Sequence, residues 1–192
     1  ENVGKFGVKV VVAINNFPTD TPEEIELVKA YCKERGAEAV LAQGFAKGGE
    51  GMTDLASAVL RVVDKGESDF KPLYDLDLSI EDKIERIAKE IYRAERVTYS
   101  SDAQTALRRI NNLGLSKLPI CIAKTQYSFS DDPTLLAAPE GFKITVNDIE
   151  IAAGAGFVVP LLGKIMRMPG LPETPASEHM DIDADGVISG LS

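Results

Sequence analysis

The first part of the chain alternates twice between a strand pattern and a capped helix pattern, and this order restricts the fold more than any other feature. Residues 8–14 form a largely apolar, β-branched run, which is typical of a strand covered on both faces. Residues 37–41 form a second, shorter run, and a helix pattern follows each of them. This order predicts a parallel α/β unit with right-handed crossovers.

Both helices of this unit carry start and stop signals in the sequence. Thr21 is the predicted N-cap of the first helix, and Gly36 is placed to end it. Thr53 is the predicted N-cap of the second helix, and Gly66 is placed to end that one. We therefore expect residues 1–66 to form a βαβα unit.

Residues 67–123 read as a helical connector followed by a strand. The segment up to residue 78 shows no period, and two helices follow, with predicted caps at Ser79 and Ser101. The apolar run at residues 118–123 predicts a buried strand.

From residue 124 onward the sequence becomes more polar and richer in turn residues, and residues 124–192 predict a smaller α+β subdomain. Residues 142–152 have the character of one or two strands, and Asp185 with Gly186 predicts a small hairpin. The loop at residues 124–132 offers a lysine, a tyrosine, hydroxyls and carboxylates. It either lines a polar pocket or is a solvated surface loop, and the pattern favours the surface loop.

Composition excludes several functional classes. The net charge is −9, with 21 basic against 30 acidic residues, which argues against a large nucleic-acid-binding surface. No apolar run approaches the roughly 18 residues that span a bilayer. Two cysteines do not make a disulfide framework, so we expect Cys32 and Cys121 to pack in the core of a cytoplasmic protein.

Several motifs look like known binding sites, but each lacks essential parts. Gly44 and Gly49 have phosphate-loop spacing, yet the lysine and hydroxyl that should follow are missing. Residues 154–159 lack the third glycine of a dinucleotide fingerprint, and residues 181–186 lack the closing glutamate of a calcium loop. His179 is the only histidine. We therefore expect no triphosphate, metal or catalytic-triad site in this chain.

Two aromatic residues, Phe17 and Phe45, are the main candidates for a binding site. Each follows a predicted strand and precedes a predicted helix. If both strands lie in one parallel sheet, both rings emerge at its carboxyl edge, where open α/β sheets bind ligands. Two interpretations stay open from the pattern alone. Either the rings clamp a flat heterocycle, or each folds back as a lid on the core.

Six segments, taken in order, resemble the C-terminal part of formate–tetrahydrofolate ligase. They are VVVAINNFPTDTPEEIELV, FAKGGEG, FKPLYDLDLSIEDKIERIAKEIY, LPICIAKTQYSFSDDP, GAGFVVPLLGKIMRMPGLP and DIDADGVISGL. The resemblance covers roughly residues 5–191. It implies a P-loop-NTPase-like ligase that makes 10-formyltetrahydrofolate from formate, tetrahydrofolate and ATP with magnesium, through formyl phosphate.

The resemblance also assigns roles to residues. It implies that Phe17 and Phe45 sandwich the pterin of tetrahydrofolate, that Pro18 shapes the first loop, and that Lys47 is a weaker candidate for binding a carboxylate or phosphate. The family's ATP phosphate loop lies upstream, so a missing N-terminal portion would supply ATP binding, and no catalytic residue is expected here. The complete enzyme would be a homotetramer.

This chain departs from the family at two places. Phe45 stands where the usual aromatic is tryptophan, and the segment SEHMDID replaces a more aromatic pattern. Two alternatives to a ligase fragment stay open. One is a non-catalytic module that binds folate or another flat heterocycle, and the other is an assembly piece of a split ligase.

Overall fold

The computed structural model describes residues 1–163, 165 and 174–190 and shows an α/β protein. Its helices are α1 (Pro22–Glu34), α2 (Gly44–Lys47), α3 (Thr53–Lys65), α4 (Ile80–Glu90) and α5 (Ser101–Asn112). Its strands are β1 (Val11–Asn15), β2 (Glu38–Ala42), β3 (Arg96–Tyr99), β4 (Lys143–Ala152), β5 (Phe157–Leu162), β6 (Asp181–Ile182) and β7 (Ile188–Ser189). Short 3-10 turns lie at Val3–Phe6, Glu50–Met52 and Ala176–Glu178.

Strands β1 and β2 pair in parallel, and α1 makes the connection between them. The helix begins with a complete capping box. The Thr21 hydroxyl accepts a hydrogen bond from the Glu24 N–H at 3.3 Å, and the Glu24 carboxylate accepts one from the Thr21 N–H at 2.9 Å. Because both backbone N–H groups find acceptors, the capping box stabilises the start of α1. The predicted cap at Thr21 is confirmed.

The expectation that the first strand is covered on both faces is not met within this chain. No residue of β1 or α1 is buried, and Ala13 in the strand is exposed. The helices also leave large apolar side chains in solvent, among them Leu27, which is 70% exposed, and Tyr31, Leu60 and Val63. Burial of such side chains would be favourable, so this unit presents an unusually apolar surface.

A second sheet holds the hydrophobic core. Strand β3 pairs in parallel with β4, which pairs antiparallel with β5, so the order is β3-β4-β5. Helices α4 and α5 pack on this sheet, and the core includes Ile80, Ile84, Ile110, Ile144 and Val158. The apolar sides of α4 and α5 therefore form part of the core.

The amine of Lys83 lies inside this core region, which the sequence did not indicate. The residue is fully buried, and its Nζ donates hydrogen bonds to the carbonyl oxygens of Ser116 at 2.6 Å and Leu118 at 3.2 Å. Burial lowers the pKa of Lys83, while the nearby carboxylates of Asp77 and Asp75 oppose that shift. The amine thereby ties the start of the 118–123 segment to α4.

The predicted buried strand at residues 118–123 is wrong as a continuous strand. The segment runs beside β5 and makes only two isolated parallel bridges, Ile120 with Val158 and Ala123 with Leu161. The ladder is interrupted because Pro160 has no N–H to donate between the two bridges. Cys121 lies at this interruption and is exposed, so the expectation that it packs in the core is also wrong. Cys32 is half-buried in α1.

Two predicted helix caps need correction. The side chain that caps α5 is Ser100, whose Oγ accepts the Ala103 N–H at 3.0 Å, and Ser101 is the first residue inside the helix. Thr53 is likewise inside α3, and its hydroxyl donates to the Glu50 carbonyl at 2.9 Å. Ser100 is extended and directly follows β3, whereas α3 continues from the 3-10 turn at Glu50–Met52. The cap at Ser79 is confirmed.

The glycine-rich segment before β5 is a turn of an antiparallel hairpin, with Gly156 at a φ of 73°. The positive φ of this turn accounts for glycine at position 156. The predicted hairpin near the end of the chain is confirmed, since β6 and β7 pair antiparallel around Gly186. The Asp183 carboxylate accepts the N–H groups of Asp185 and Val187 inside that turn. Residues 166–173 of the expected C-terminal subdomain lie outside the described residues.

Candidate functional site at the carboxyl edge of the first sheet

Phe17 and Phe45 leave the first sheet at the same edge. The register of the parallel pair ends with Asn15 beside Ala42, and each ring lies in the loop that follows immediately. Neither ring is a lid on the core, because Phe17 is 57% exposed and Phe45 is 95% exposed. Open α/β sheets bind their ligands at the carboxyl edge, so exposed aromatic rings at this edge are placed to contact a ligand.

The first loop is a tight turn that Asp20 holds closed. The Asp20 N–H donates to the Phe17 carbonyl at 3.0 Å, and Pro18 occupies the second position of that turn, where its fixed φ is favourable. The Asp20 carboxylate accepts the Phe17 N–H at 2.7 Å, and the Asn16 amide donates to the Phe17 carbonyl at 3.0 Å. The backbone that carries the Phe17 ring is therefore hydrogen-bonded on both sides.

The second loop folds back on itself around Phe45. Phe45 lies in the one-turn helix α2, and the Gln43 N–H donates to the Gly51 carbonyl at 3.0 Å, which closes the loop. A Cβ at Gly51 would lie 2.5 Å from the Gln43 carbonyl oxygen, so only glycine fits there. Gly48 has a φ of 57° and a ψ of −141°, a conformation that is essentially restricted to glycine. The glycines therefore serve the close packing of this loop.

Polar side chains connect the two loops. The Gln43 Nε2 donates to the Asn16 Oδ1 at 3.0 Å, and the Lys47 Nζ donates to the Gln43 Oε1 at 2.9 Å. On the other side, the Asn16 Nδ2 lies 3.4 Å from the Asp20 Oδ2. A row of four side chains thus runs from a cation in the second loop to a carboxylate in the first, and we call it the inter-loop chain.

A family model described as formate–tetrahydrofolate ligase matches residues 1–192, which is the whole chain. The chain belongs to the formate–tetrahydrofolate ligase family. Members of this family join formate to tetrahydrofolate and use ATP. This membership agrees with the resemblance of the sequence segments. Tetrahydrofolate carries a flat pterin and anionic groups, so a site for it needs aromatic faces and cations.

The edge of the first sheet offers chemistry suited to such ligands. It presents two aromatic faces and the Lys47 ammonium, which donates one hydrogen bond to Gln43 and has two further N–H groups. In the ranges 1–163, 165 and 174–190, no group of three or more His, Cys, Asp or Glu side chains is arranged to hold a metal ion. Among these same residues, no helix has the length and apolar character to cross a bilayer.

The polar loop at residues 124–132 is more structured than its pattern indicates. Ser128 and Ser130 are buried, and the Lys124 amine donates to the carbonyl oxygens of Thr125 and Ser128. That amine also lies 5.2 Å from the centroid of the Tyr92 ring, close enough for a cation–π contact. Burial lowers the pKa of Lys124, and Asp131 opposes the shift. The preference for a solvated surface loop is therefore wrong for its central residues, whose polar groups hold the loop together.

A second concave region was not indicated by the sequence. An open apolar groove of about 930 Å³ lies between Val3–Phe6, the irregular segment after α3, and α4. Phe6 and Phe70 stack on one side of it with their ring centroids 6.4 Å apart, and Tyr74 accepts the Ile120 N–H through its hydroxyl. Polar groups are few in this groove, so it lacks the convergent donors and acceptors that a specific ligand site needs.

Proposed function

We propose that this chain is the folate-binding, C-terminal part of a formate–tetrahydrofolate ligase and that Phe17 and Phe45 sandwich the pterin of tetrahydrofolate. The observation that carries the proposal is the position of the rings. Both are exposed, both leave the same edge of a parallel sheet, and the loops beneath them are hydrogen-bonded to one another. Offset stacking of a flat heterocycle on aromatic faces is favourable beyond the area that it buries.

Two neighbouring residues have supporting roles in this proposal. Pro18 restricts the turn that carries Phe17, so less conformational freedom is lost when the ligand binds. Lys47 binds a carboxylate or phosphate of a substrate with the N–H groups that Gln43 does not use. Lys47 lies in the same short helix as Phe45, so in this proposal it binds a group beside the pterin rather than within the stack.

In this proposal the chain does not perform the whole reaction. The βαβα unit at residues 1–66 belongs to a P-loop-NTPase-like ligase domain, residues 67–123 connect it, and residues 124–192 form a small C-terminal subdomain. An N-terminal portion holds ATP with its magnesium and forms formyl phosphate, from which tetrahydrofolate accepts the formyl group. The exposed apolar side chains of α1 and α3, such as Leu27 and Val63, support a partner of this kind.

The complete enzyme in this proposal is a cytoplasmic homotetramer. An assembly role for this chain, as one piece of a split ligase, rests on the same exposed apolar helices. The two roles are compatible, because a surface that joins the portions of one ligase also joins pieces that are made separately.

The pterin clamp is tested by calorimetric titration of the chain with tetrahydrofolate. Wild-type protein is compared with Phe17→Ala and Phe45→Ala. Phe70→Ala serves as the control, because Phe70 is also largely exposed, at 65%, but stacks on Phe6 away from these loops. Each loop variant is expected to weaken binding by about 1 kcal/mol or more, since a stacking face is lost. Unchanged affinity in both loop variants would contradict the clamp.

A further inference from the structure

We infer that Asn16 and Gln43 are positioning residues that set the spacing between the two aromatic loops and therefore the width of the slot between Phe17 and Phe45. This inference rests on the proposed pterin clamp. A slot that takes a flat ring needs two faces held at a defined separation. Strand pairing fixes the distance between the two segments only up to Asn15 and Ala42, and the rings lie beyond these residues.

The hydrogen bond between the Asn16 and Gln43 amides holds the two loops together beyond the ends of the strands. The last backbone bond between the two segments joins the Asn16 N–H to the Ala42 carbonyl at 3.1 Å. Past this point, within the described residues of both loops, the Gln43–Asn16 bond at 3.0 Å is the single side-chain hydrogen bond that crosses from one loop to the other. Loss of that bond would leave each loop closed on itself but free to move relative to its neighbour.

The inter-loop chain also has a defined direction. Lys47 only donates, so the Gln43 oxygen faces it and the Gln43 nitrogen faces Asn16. The Asn16 oxygen then faces Gln43, and its nitrogen faces the Phe17 carbonyl and the Asp20 carboxylate. Every amide is therefore oriented by a partner on each side, and bonds in such a row strengthen one another.

The partial burial of Asn16 and Gln43 favours a positioning role over direct contact with the ligand. Asn16 and Gln43 are half-buried, whereas both rings project into solvent. Their amide groups are already used by one another and by the loops. We therefore assign them an effect on pterin affinity that acts through Phe17 and Phe45.

The experiment is a calorimetric titration of the chain with two ligands, tetrahydrofolate and p-aminobenzoylglutamate, which lacks the pterin. Gln43→Met keeps the length of the side chain but removes the crossing bond, and Asn16→Ala removes it from the other loop. Gln104→Met is the control, since Gln104 is exposed on α5 and makes one long bond of 3.5 Å. Melting curves establish that each variant is folded.

Gln43→Met and Asn16→Ala are each expected to weaken tetrahydrofolate binding by about five- to tenfold, as loss of one organising hydrogen bond predicts. Gln104→Met is expected to bind as wild type, and p-aminobenzoylglutamate is expected to bind all variants alike. In a Phe17→Ala background, Gln43→Met should cause no further loss, because a slot with one wall has no width to set.

The outcomes distinguish this inference from the proposed function. If Phe17→Ala and Phe45→Ala bind tetrahydrofolate as wild type, the clamp itself is wrong and the inference falls with it. If those two variants weaken binding but Gln43→Met and Asn16→Ala do not, only the positioning role is wrong. The positioning role would also be overturned if Gln43→Met weakened tetrahydrofolate binding as much in the Phe17→Ala background as in the wild type. The effect would then not act through the slot.

Discussion

Among the described residues, Phe45 is the most exposed of the large hydrophobic side chains. Its ring presents a smaller face than a tryptophan at that position would, and 95% of the residue is exposed. We predict that Phe45→Trp tightens tetrahydrofolate binding by about 1 kcal/mol, because the larger ring stacks over more of the pterin. Calorimetry of the two proteins checks this. Equal or weaker binding by the variant would show that the pterin does not stack on this side chain.

The buried amine of Lys83 is expected to make the stability of the fold depend on pH. Its pKa in the folded protein is lowered by burial, whereas in the unfolded chain it is about 10.4. At a pH between these two pKa values, the unfolded chain binds more protons than the folded protein does. The free energy of unfolding therefore rises with pH in this range. Relative to Lys83→Met, wild-type protein is therefore expected to gain stability as the pH rises through that window.

Denaturant titrations at a series of pH values from 7 upward test this difference. Lys89→Met is the control on the same helix, because Lys89 is exposed and pairs with Glu85. The stability difference for Lys83→Met should change with pH in the stated direction. If it is constant, or changes in the opposite direction, the burial of a charged amine at this position is contradicted.

At the scale of elements, the start of α5 shows how closely a helix boundary is fixed by one hydroxyl. Ser100 accepts the Ala103 N–H and also donates to the Asn147 carbonyl at 2.5 Å, whereas the side chain of Ser101 makes neither bond. We predict that Ser100→Ala lowers the free energy of unfolding by about 1–2 kcal/mol, while Ser101→Ala changes it little. Thermal unfolding of both variants checks this, and the reverse ranking would place the cap at Ser101.

The elements that the sequence predicted correctly are those in which local signals agree. At α1 and α4 the cap, the acidic first turn and the apolar stripe all indicate the same helix, and both begin as predicted. Strands β3 and β5 were not identified. Residues 96–99 are few and begin with a charged residue, and residues 157–162 contain a proline, so neither shows a clear strand pattern.

The site was predictable in part. The positions of Phe17 and Phe45 follow from strand order alone, because parallel neighbours end at one edge. The bond between Asn16 and Gln43 was not foreseen, since the pairing of two amides across loops depends on register and loop closure. Tertiary contacts of this kind have no periodic signature in a sequence.

At the scale of the whole molecule, the two sheets differ in how well they are covered. The β3-β4-β5 sheet has a buried core, whereas β1, β2 and their helices contribute only Ala42 and Ala58 as buried residues among those described. This asymmetry is the pattern expected of a unit that packs against further protein. It is the structural reason for proposing that catalysis needs an additional portion.

We accordingly predict that the 192-residue chain alone does not form 10-formyltetrahydrofolate from formate, ATP and tetrahydrofolate, because no phosphate loop is present in its sequence. A kinetic assay with all three substrates checks this, with a complete ligase of the family as the positive control. Clear turnover by the chain alone would contradict the division of labour.

The pterin clamp is tested most directly by a fluorescence titration of Phe45→Trp with tetrahydrofolate. The chain contains no other tryptophan, so the emission reports only on position 45. Tetrahydrofolate is expected to quench the emission saturably, with an affinity that falls about fivefold or more when Phe17→Ala is added, because the opposite stacking face is lost. Emission that does not respond to tetrahydrofolate, or an affinity unaffected by Phe17→Ala, would contradict a pterin held between these two rings.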